Sequence, residues 1–442
     1  MKLWNKFFLI ACLCLIFAAI GYAEPLTLEQ SVDEALQFSP TIVAAQNELD
    51  AARSQLSQAF SALLPNIKVE GAFGQSYSEP MTVTIPSFGA FSIMPNETAN
   101  VGSYSFSLTQ PIFVGGKLLQ AYSIANASFQ IAKENLRKAQ DEAVFDATNG
   151  YFQVLKADKI VKLIGQEIAN TKKYLSQVQN LYNNGIATKA DLLRVEAELS
   201  SLRQNEIGFK SALNLSKLNF NSMLGRKLNS SVELVEPESL TFASPELVDV
   251  NTLLKTAYQM RPEWRSLLQT KKIAEAGVGL AWGDFFPSVA VTGSAGRTMT
   301  EYPSKGRYDL GNWKAMVVGS WTLFDGFNNV SKVSESRFTL AAVKARETSV
   351  RDAIELEINS VVAQLQANEE QVAVAIISAK LAQESYEYAK LSYESQIGTN
   401  LQVMDAQAML FQAESNLWAA RYDYQIGKAK INKAVGTAVL KL

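Results

Sequence analysis

Glu196 and Glu198, and again Glu355 and Glu357, set carboxylates two residues apart, the closest this sequence comes to a general acid/base pair. In their helical surroundings they read as surface charges rather than as a reacting pair. The sequence contains no histidine. That removes Ser-His-Asp triads, imidazole bases and His-ligated zinc. Gly115-Gly116 lacks the phosphate-loop pattern and reads as a strand-to-helix turn. The nine methionines are scattered, with no cluster that would handle copper or silver. No catalytic residue, metal ligand or cofactor is expected, and the protein is read as a non-enzyme.

The N-terminus argues for export. MKLWNK, the apolar run Phe7–Ile20 and Gly21-Tyr22-Ala23 make up a secretory signal peptide over residues 1–23. Both cysteines, Cys12 and Cys14, lie in its apolar run. Leu9-Ile10-Ala11-Cys12 loosely imitates a lipoprotein processing site, but only five apolar residues precede Cys12. Cleavage after Ala23 and a cysteine-free mature chain are expected. With 48% hydrophobic and 19% charged residues the chain is neither disordered nor a helical membrane protein. Net charge is −2, and no basic stripe points to nucleic acid.

The elements that follow are written twice. EALQFSPTI at 34–42 resembles KTAYQMRPEW at 255–264, with Ala35/Ala257, Gln37/Gln259 and Pro40/Pro262 all 222 residues apart. Further on the offset is 211, pairing Phe113 with Phe324, Gly115 with Gly326, Tyr182 with Tyr393 and Thr188 with Thr399. The eleven extra residues of the first half are expected in the connection Tyr77–Asn100, which, like Thr298–Asn312, has loop composition.

Each half carries two alternating stretches. In SYSFSLTQ, Tyr104, Phe106 and Leu108 fall on one face and Ser103, Ser105, Ser107 and Thr109 on the other. Ile67, Val69 and Phe73 alternate with Lys68, Glu70 and Gly74, and a strand expected over Trp313–Leu323 sets Trp313, Ala315, Val317, Trp321 and Leu323 on one face. Strands of about ten residues suit a tilted membrane barrel. Soluble hairpins packed on helices would show the same alternation. The leader, the small-polar face and the Trp/Tyr residues near strand ends favour the barrel, with Tyr104, Phe106 and Leu108 toward lipid.

The rest is helix. No proline interrupts Gly116–Tyr182 or Phe327–Tyr393, and a continuous helix of that length extends on the order of 100 Å. Ile358, Leu365, Val372, Ala379, Tyr386 and Tyr393 recur every seven residues, as do Ala147, Val154, Val161, Ile168, Leu175 and Tyr182. A heptad repeat gives a coiled-coil seam. On the returning helix, Ala406, Ala413, Ala420, Gly427 and Ala434 form a stripe that admits close packing. Turn chemistry separates outgoing and returning helices at Asn183-Asn184-Gly185 and Gly398-Thr399-Asn400, where Gly and Asn tolerate positive φ.

Four strands cannot close a barrel, and open edges in hydrocarbon cost several kcal/mol per unpaired group. Strands from other copies must complete the ring. The expected fold is therefore mainly α with a β membrane part: long antiparallel coiled-coil helices continue a transmembrane β-barrel that several copies share. Residues 24–65 and 246–287 form helices ahead of outer-membrane hairpins at 66–112 and 288–324. Long helical hairpins follow at 113–226 and 325–442, with a mixed linker at 227–245.

LTLEQSVDEAL…SP (26–40), QPIFVGGK (110–117), WTLFDGFN (321–328), YNNGIATKADLL (182–193) and YESQIGTNLQVMDAQ (393–407), in this order and duplicated, resemble the TolC family of outer-membrane efflux proteins. The resemblance covers essentially the whole mature chain. It implies a homotrimer in the Gram-negative outer membrane whose α-barrel reaches through the periplasm. It also implies a passive exit duct for drug efflux or type I secretion, coupled by a periplasmic adaptor to an inner-membrane efflux pump or ABC exporter. A non-transporting coiled-coil scaffold is the competing expectation. By resemblance, Gly185, Ile186, Ala187 and Thr188 with Ile397, Gly398, Thr399 and Asn400 dock the adaptor. Family members of the founding type close the aperture with rings of aspartates. Asp405 matches one such position, Gln402 occupies the other, and Asp191 lies at the first tip as either a gate residue or a helix cap. A solvated-face role for the two acids stands beside the gate reading.

Overall fold

In a computed structural model describing residues 25–79, 81–94, 97–237 and 249–441, the two halves run through matching elements. The leader with Cys12 and Cys14, and the part of the expected linker after residue 237, lie outside the described residues. The first half contains α1 (Leu28–Phe38), α2 (Pro40–Ser61), β1 (Asn66–Ser78), β2 (Met81–Ile85), β3 (Gly89–Met94), β4 (Glu97–Val114), α3 (Lys117–Asn183) and α4 (Lys189–Met223). The second contains α5 (Val250–Met260), α6 (Pro262–Trp282), a 3-10 turn Gly283–Phe285, β5 (Ser288–Tyr302), β6 (Gly306–Ser320), α7 (Asn328–Glu394) and α8 (Asn400–Val435). Pro40 and Pro262 each open the second helix of their half. The residues before them, Ser39 and Arg261, are extended, as the proline ring demands. The outgoing helices α3 and α7 are 67 residues each, in keeping with the proline-free intervals.

The strands depart from expectation in four ways. They are 13, 18, 15 and 15 residues long rather than about ten. The Tyr77–Asn100 connection is no plain loop, since it holds the β2–β3 hairpin. Its counterpart shrinks to the turn between Tyr302 and Gly306. β4 also continues past Pro111, where proline cannot donate to the ladder and the register shifts between Pro111 and Phe113. β6 ends at Ser320, so Trp321 and Leu323 lie beyond it. The Trp321 indole donates to the Phe285 carbonyl at 3.1 Å.

The chain divides into two units. One comprises Asn47–Glu134 and Arg265–Val350. It holds the sheet, whose order β1-β4-β5-β6 joins the halves through an antiparallel β4–β5 pair. Where the sheet meets the helices, Lys117 and Lys332 donate to Asp284 at 2.7 and 3.0 Å. These bonds, Lys117 first, hold the Asp284 carboxyl below its usual range.

The other unit comprises the residues up to Gln46, Asn135–Trp264 and those from Arg351 onward. Its main core gathers Ala35 of α1, Ala147, Tyr151, Phe152 and Leu155 of α3, Phe220 of α4, and Tyr422 and Ile426 of α8. The segment after α4 packs here too. Leu26 and Leu234 form a parallel bridge, and the buried Tyr151 hydroxyl is shared by the carbonyls of Leu26, at 3.1 Å, and Val235. Burial pushes that phenol up to about 12, so it remains a donor. The small-residue stripe of α8 is buried throughout. A Cβ on Gly427 would stand 3.0 Å from Leu365 Cδ1, which shows how closely α7 approaches.

Candidate functional site

The register of the sheet decides what each face can do. Opposite residues share a face, so Tyr104 stands with Gly71 and Arg297, Phe106 with Val69 and Ala295, and Leu108 with Ile67 and Gly293. On β6 the same face takes Val317, Ala315 and Trp313. From Ile67–Phe73 of β1 across to Trp313–Val317 of β6 this face is mainly apolar. Toward the hairpin-turn end it carries Gln75 beside Asn100, Glu301 beside Arg307 and the Arg297–Asp309 ion pair, and Gln110 lies at its other end. The other carries the Lys68–Glu70 pair, Ser103, Ser105, Ser107, Ser294 and Lys314. Tyr104, Phe106 and Leu108 are all exposed. β1 and β6, at the ends of the order, each leave one edge without a strand partner among the described residues.

The turns that join sheet to helix repeat the same backbone with different residues. Gly115 and Gly116 have φ 65° and 77°, and Gly326 and Phe327, 211 residues later, have φ 68° and 68°. Gly115 is irreplaceable on steric grounds. A Cβ there would lie 2.1 Å from the Gly283 carbonyl oxygen.

At the far ends of the long helices, both returns use one hydrogen-bond pattern. Ile186 N–H donates to Leu181 O at 2.9 Å, and Ile397 N–H donates to Ser392 O at 2.9 Å, closing helices α3 and α7 in the Schellman manner. The left-handed residue is Gly185, φ 76°, in the first tip and Gln396, φ 62°, in the second. The expectation that Gly398 supplies positive φ is corrected here. Gly398 instead matters for space, because a Cβ on it would meet Ser392 Cβ at 3.1 Å and Tyr393 N at 3.2 Å.

Each returning helix starts with a capping box, Thr188 with Asp191 and Thr399 with Gln402. Asp191 accepts from the Thr188 hydroxyl at 2.6 Å and its N–H at 3.1 Å. The Thr188 hydroxyl bond is the chief reason the Asp191 carboxyl is held below its usual range. Gln402 accepts from Thr399 N–H at 2.9 Å. Asp191 and Gln402 therefore both act as caps at equivalent positions.

Asn400 ties the two tips together. Its amide donates to the Asp191 carbonyl at 3.1 Å, while its own oxygen accepts from the buried Tyr174 hydroxyl at 2.7 Å. Burial, foremost, raises the Tyr174 phenol, which stays a neutral donor. Around this link Val178, Leu192, Val195 and Val403 form an apolar cluster flanked by Tyr386 and Tyr393. One heptad along α8, Gln407 donates to Thr171 at 2.8 Å. Tyr174, Thr171 and Gln407 escaped the sequence reading. The seven-residue interval from Asn400 to Gln407 runs on through Glu414, Arg421 and Lys428, a wholly polar stripe that gave no sign of burial at its first two members.

Asp405 and Gln402 share the exposed face of α8 and line a groove of about 410 Å³ between α7 and α8, beside Tyr388, Ile397, Gly398 and Met409. Among the described residues no cluster of His, Cys, Asp or Glu could hold a metal ion, and no helix is long and apolar enough to cross a membrane.

An amphipathic sheet open at both edges, continued by paired helices of this length, defines the subunit of an outer-membrane channel. A family model described as Outer membrane efflux protein matches residues 31–226 and 253–437, and the chain belongs to that family. It is 23% identical to the Outer membrane protein TolC of Escherichia coli K12, over 95% of this chain and 84% of the relative. It is 21% identical to the Alkaline protease secretion protein AprF of Pseudomonas aeruginosa, over 91% of this chain and 82% of that one. Among solved structures, VceC of Vibrio cholerae shares the fold with a TM-score of 0.77 at 18% identity, covering 93% of this chain and 96% of that one. The channel OprN superposes with a TM-score of 0.75 at 17% identity, covering 92% and 89%. As a member of this family the protein is an outer-membrane efflux channel that extends into the periplasm.

Proposed function

We propose that the protein is the passive exit duct of a tripartite efflux or type I secretion assembly. Three copies close one barrel, with Tyr104, Phe106 and Leu108 toward lipid and the serine face toward the lumen. The observation that carries this reading is the pair of open edges on β1 and β6. In hydrocarbon each unpaired N–H or C=O costs several kcal/mol, and a β6 edge can only be satisfied by the β1 edge of a neighbouring copy. The residues around Gly185–Thr188 and Ile397–Asn400 dock a periplasmic adaptor, which couples the duct to an inner-membrane pump or ABC exporter. Relatives named for efflux and for protease secretion support both kinds of cargo.

Asp405 faces the groove at the second tip, where a ring of carboxylates would favour cations and repel anions. The tie through Asn400 holds this end closed. Asn400→Ala removes both its bond from the Tyr174 hydroxyl, which keeps only its hydrogen bond with Tyr393, and its bond to the Asp191 carbonyl, together about 1–3 kcal/mol. That amounts to a shift of roughly 5- to 150-fold in the opening equilibrium. Planar bilayers should register higher mean conductance for Asn400→Ala than for the wild type, with the oligomer intact by gel filtration. An assembly that stays sealed in both forms would point to a scaffold instead.

A further inference from the structure

Between the two long helical hairpins, toward the tips, lies a carboxyl that the duct as described does not use. Glu167 of α3 is buried. It stands between Ile164 and Ile168, which pack on Leu199 and Leu202 of α4 with Phe209 and Phe411 alongside. Its carboxyl is hydrogen-bonded to Gln407 of α8, whose amide also donates to Thr171, one turn along α3. The arrangement is a polar layer inserted into an apolar seam, spanning the first helical hairpin and the second.

The charges facing Glu167 are of its own sign. Glu198 acts on it from α4 and Glu414 from α8. From α7 the facing titratable group is Tyr386, whose phenol is itself raised, by burial first and then by Glu167. The basic group that acts on Glu414 is Lys159, on α3. Ionising Glu167 therefore places a charge in a buried seam whose principal neighbours are further acids. An amide can hold a protonated carboxyl there as readily as an ionised one, through its carbonyl oxygen rather than its N–H.

We propose that Glu167 is a proton-controlled lock on the seam between the two helical hairpins: protonated, it keeps α3 and α8 packed, and ionised, it loosens the half of the seam that leads to the tips. This rests on the reading of the tips as the closing end of the duct. Burial is the largest influence on the carboxyl and pushes it up to about 7, against the Gln407 bond and with the help of Glu198 and Glu414. The packed state thus binds a proton that the loosened state, with an ordinary carboxyl, has already released. Packing is then favoured at low pH and lost as pH rises through 7.

The test is hydrogen–deuterium exchange on the full-length oligomer in detergent, reported as protection factors so that the intrinsic pH dependence of exchange is removed. For a carboxyl near 7 when packed and near 4.5 when loosened, protection across residues 164–178 and 400–411 should fall about tenfold between pH 6 and pH 8. Glu167→Gln, of the same shape, should show the same protection at both values. Glu414→Gln removes one facing negative charge that raises the Glu167 carboxyl, and should move the midpoint downward while keeping the transition. Wild-type protection that does not change, or a transition that persists in Glu167→Gln, overturns the proposal. Because exchange needs no conduction, a failed lock is distinguishable from a failed duct, which the bilayer measurement reports separately.

Discussion

A protein carrying Phe106→Lys does not accumulate in the outer membrane as a stable oligomer, whereas Ser105→Ala accumulates as the wild type does. Phe106 lies midway along β4, between Val69 of β1 and Ala295 of β5 on the apolar face of the sheet. A lysine on the lipid face at mid-depth costs about 2–4 kcal/mol. Losing the phenyl from an apolar setting adds roughly 1.5–3 kcal/mol. Both penalties recur in every copy that contributes to the barrel. Ser105 points to the opposite face, where a methyl in place of a hydroxyl meets no lipid and breaks no ladder bond. The measurement is the amount of oligomer in membrane fractions, resolved with and without heating. Equal amounts for the two variants would reverse the assignment of the faces.

The second large effect is expected at the turn where the first strand pair becomes helix. Gly115→Ala meets two obstacles: a left-handed backbone, φ 65°, and the Gly283 carbonyl oxygen 2.1 Å from the new Cβ. The left-handed conformation alone costs an L-residue about 1–2 kcal/mol. Forcing backbone apart in a packed site adds about 1–3 kcal/mol. Gly326→Ala isolates the first term, since Gly326 has φ 68° and nothing within 4 Å of its Cβ position. Thermal unfolding of the purified proteins should therefore lower the transition much further for Gly115→Ala than for Gly326→Ala. Equal losses would mean that the approach to Gly283 contributes nothing.

Gly115 also shows where reading the chain stops. Its pairing with Gly326 was visible as an internal repeat, and so was a turn at that point. Nothing local announced that Gly283, at the foot of α6, would press against it. Phe327 and Gln396 make the same point from the other side. Their sequence counterparts Gly116 and Gly185 have positive φ for the reason glycine usually does, yet a phenylalanine and a glutamine keep the same backbone in the second half. The path of the chain there is imposed by the strand and helices on either side, not by the residue that occupies it. Asp191 was legible as an acid near a tip, with capping among its possible roles. The bond from Asn400 that makes it part of a link between hairpins was not, because the two residues are 209 positions apart. The β2–β3 hairpin was passed over for a related reason: prolines and glycines around it gave the stretch the composition of a loop.

By itself the sequence determined most of the elements and their faces: two copies of one plan, the alternation of β4, the heptads of α3 and α7, the returns between the long helices, and a need for shared closure. These are consequences of period and of hydrogen-bonding obligation, which are carried by neighbouring residues. The tertiary structure alone decided the partners. It set β4 against β5, Gly115 against Gly283, Asn400 between Tyr174 and Asp191, and Glu167 in a buried seam with Gln407. Contacts of that kind depend on which surfaces exclude water from each other across long stretches of chain, and no local pattern of side chains records that.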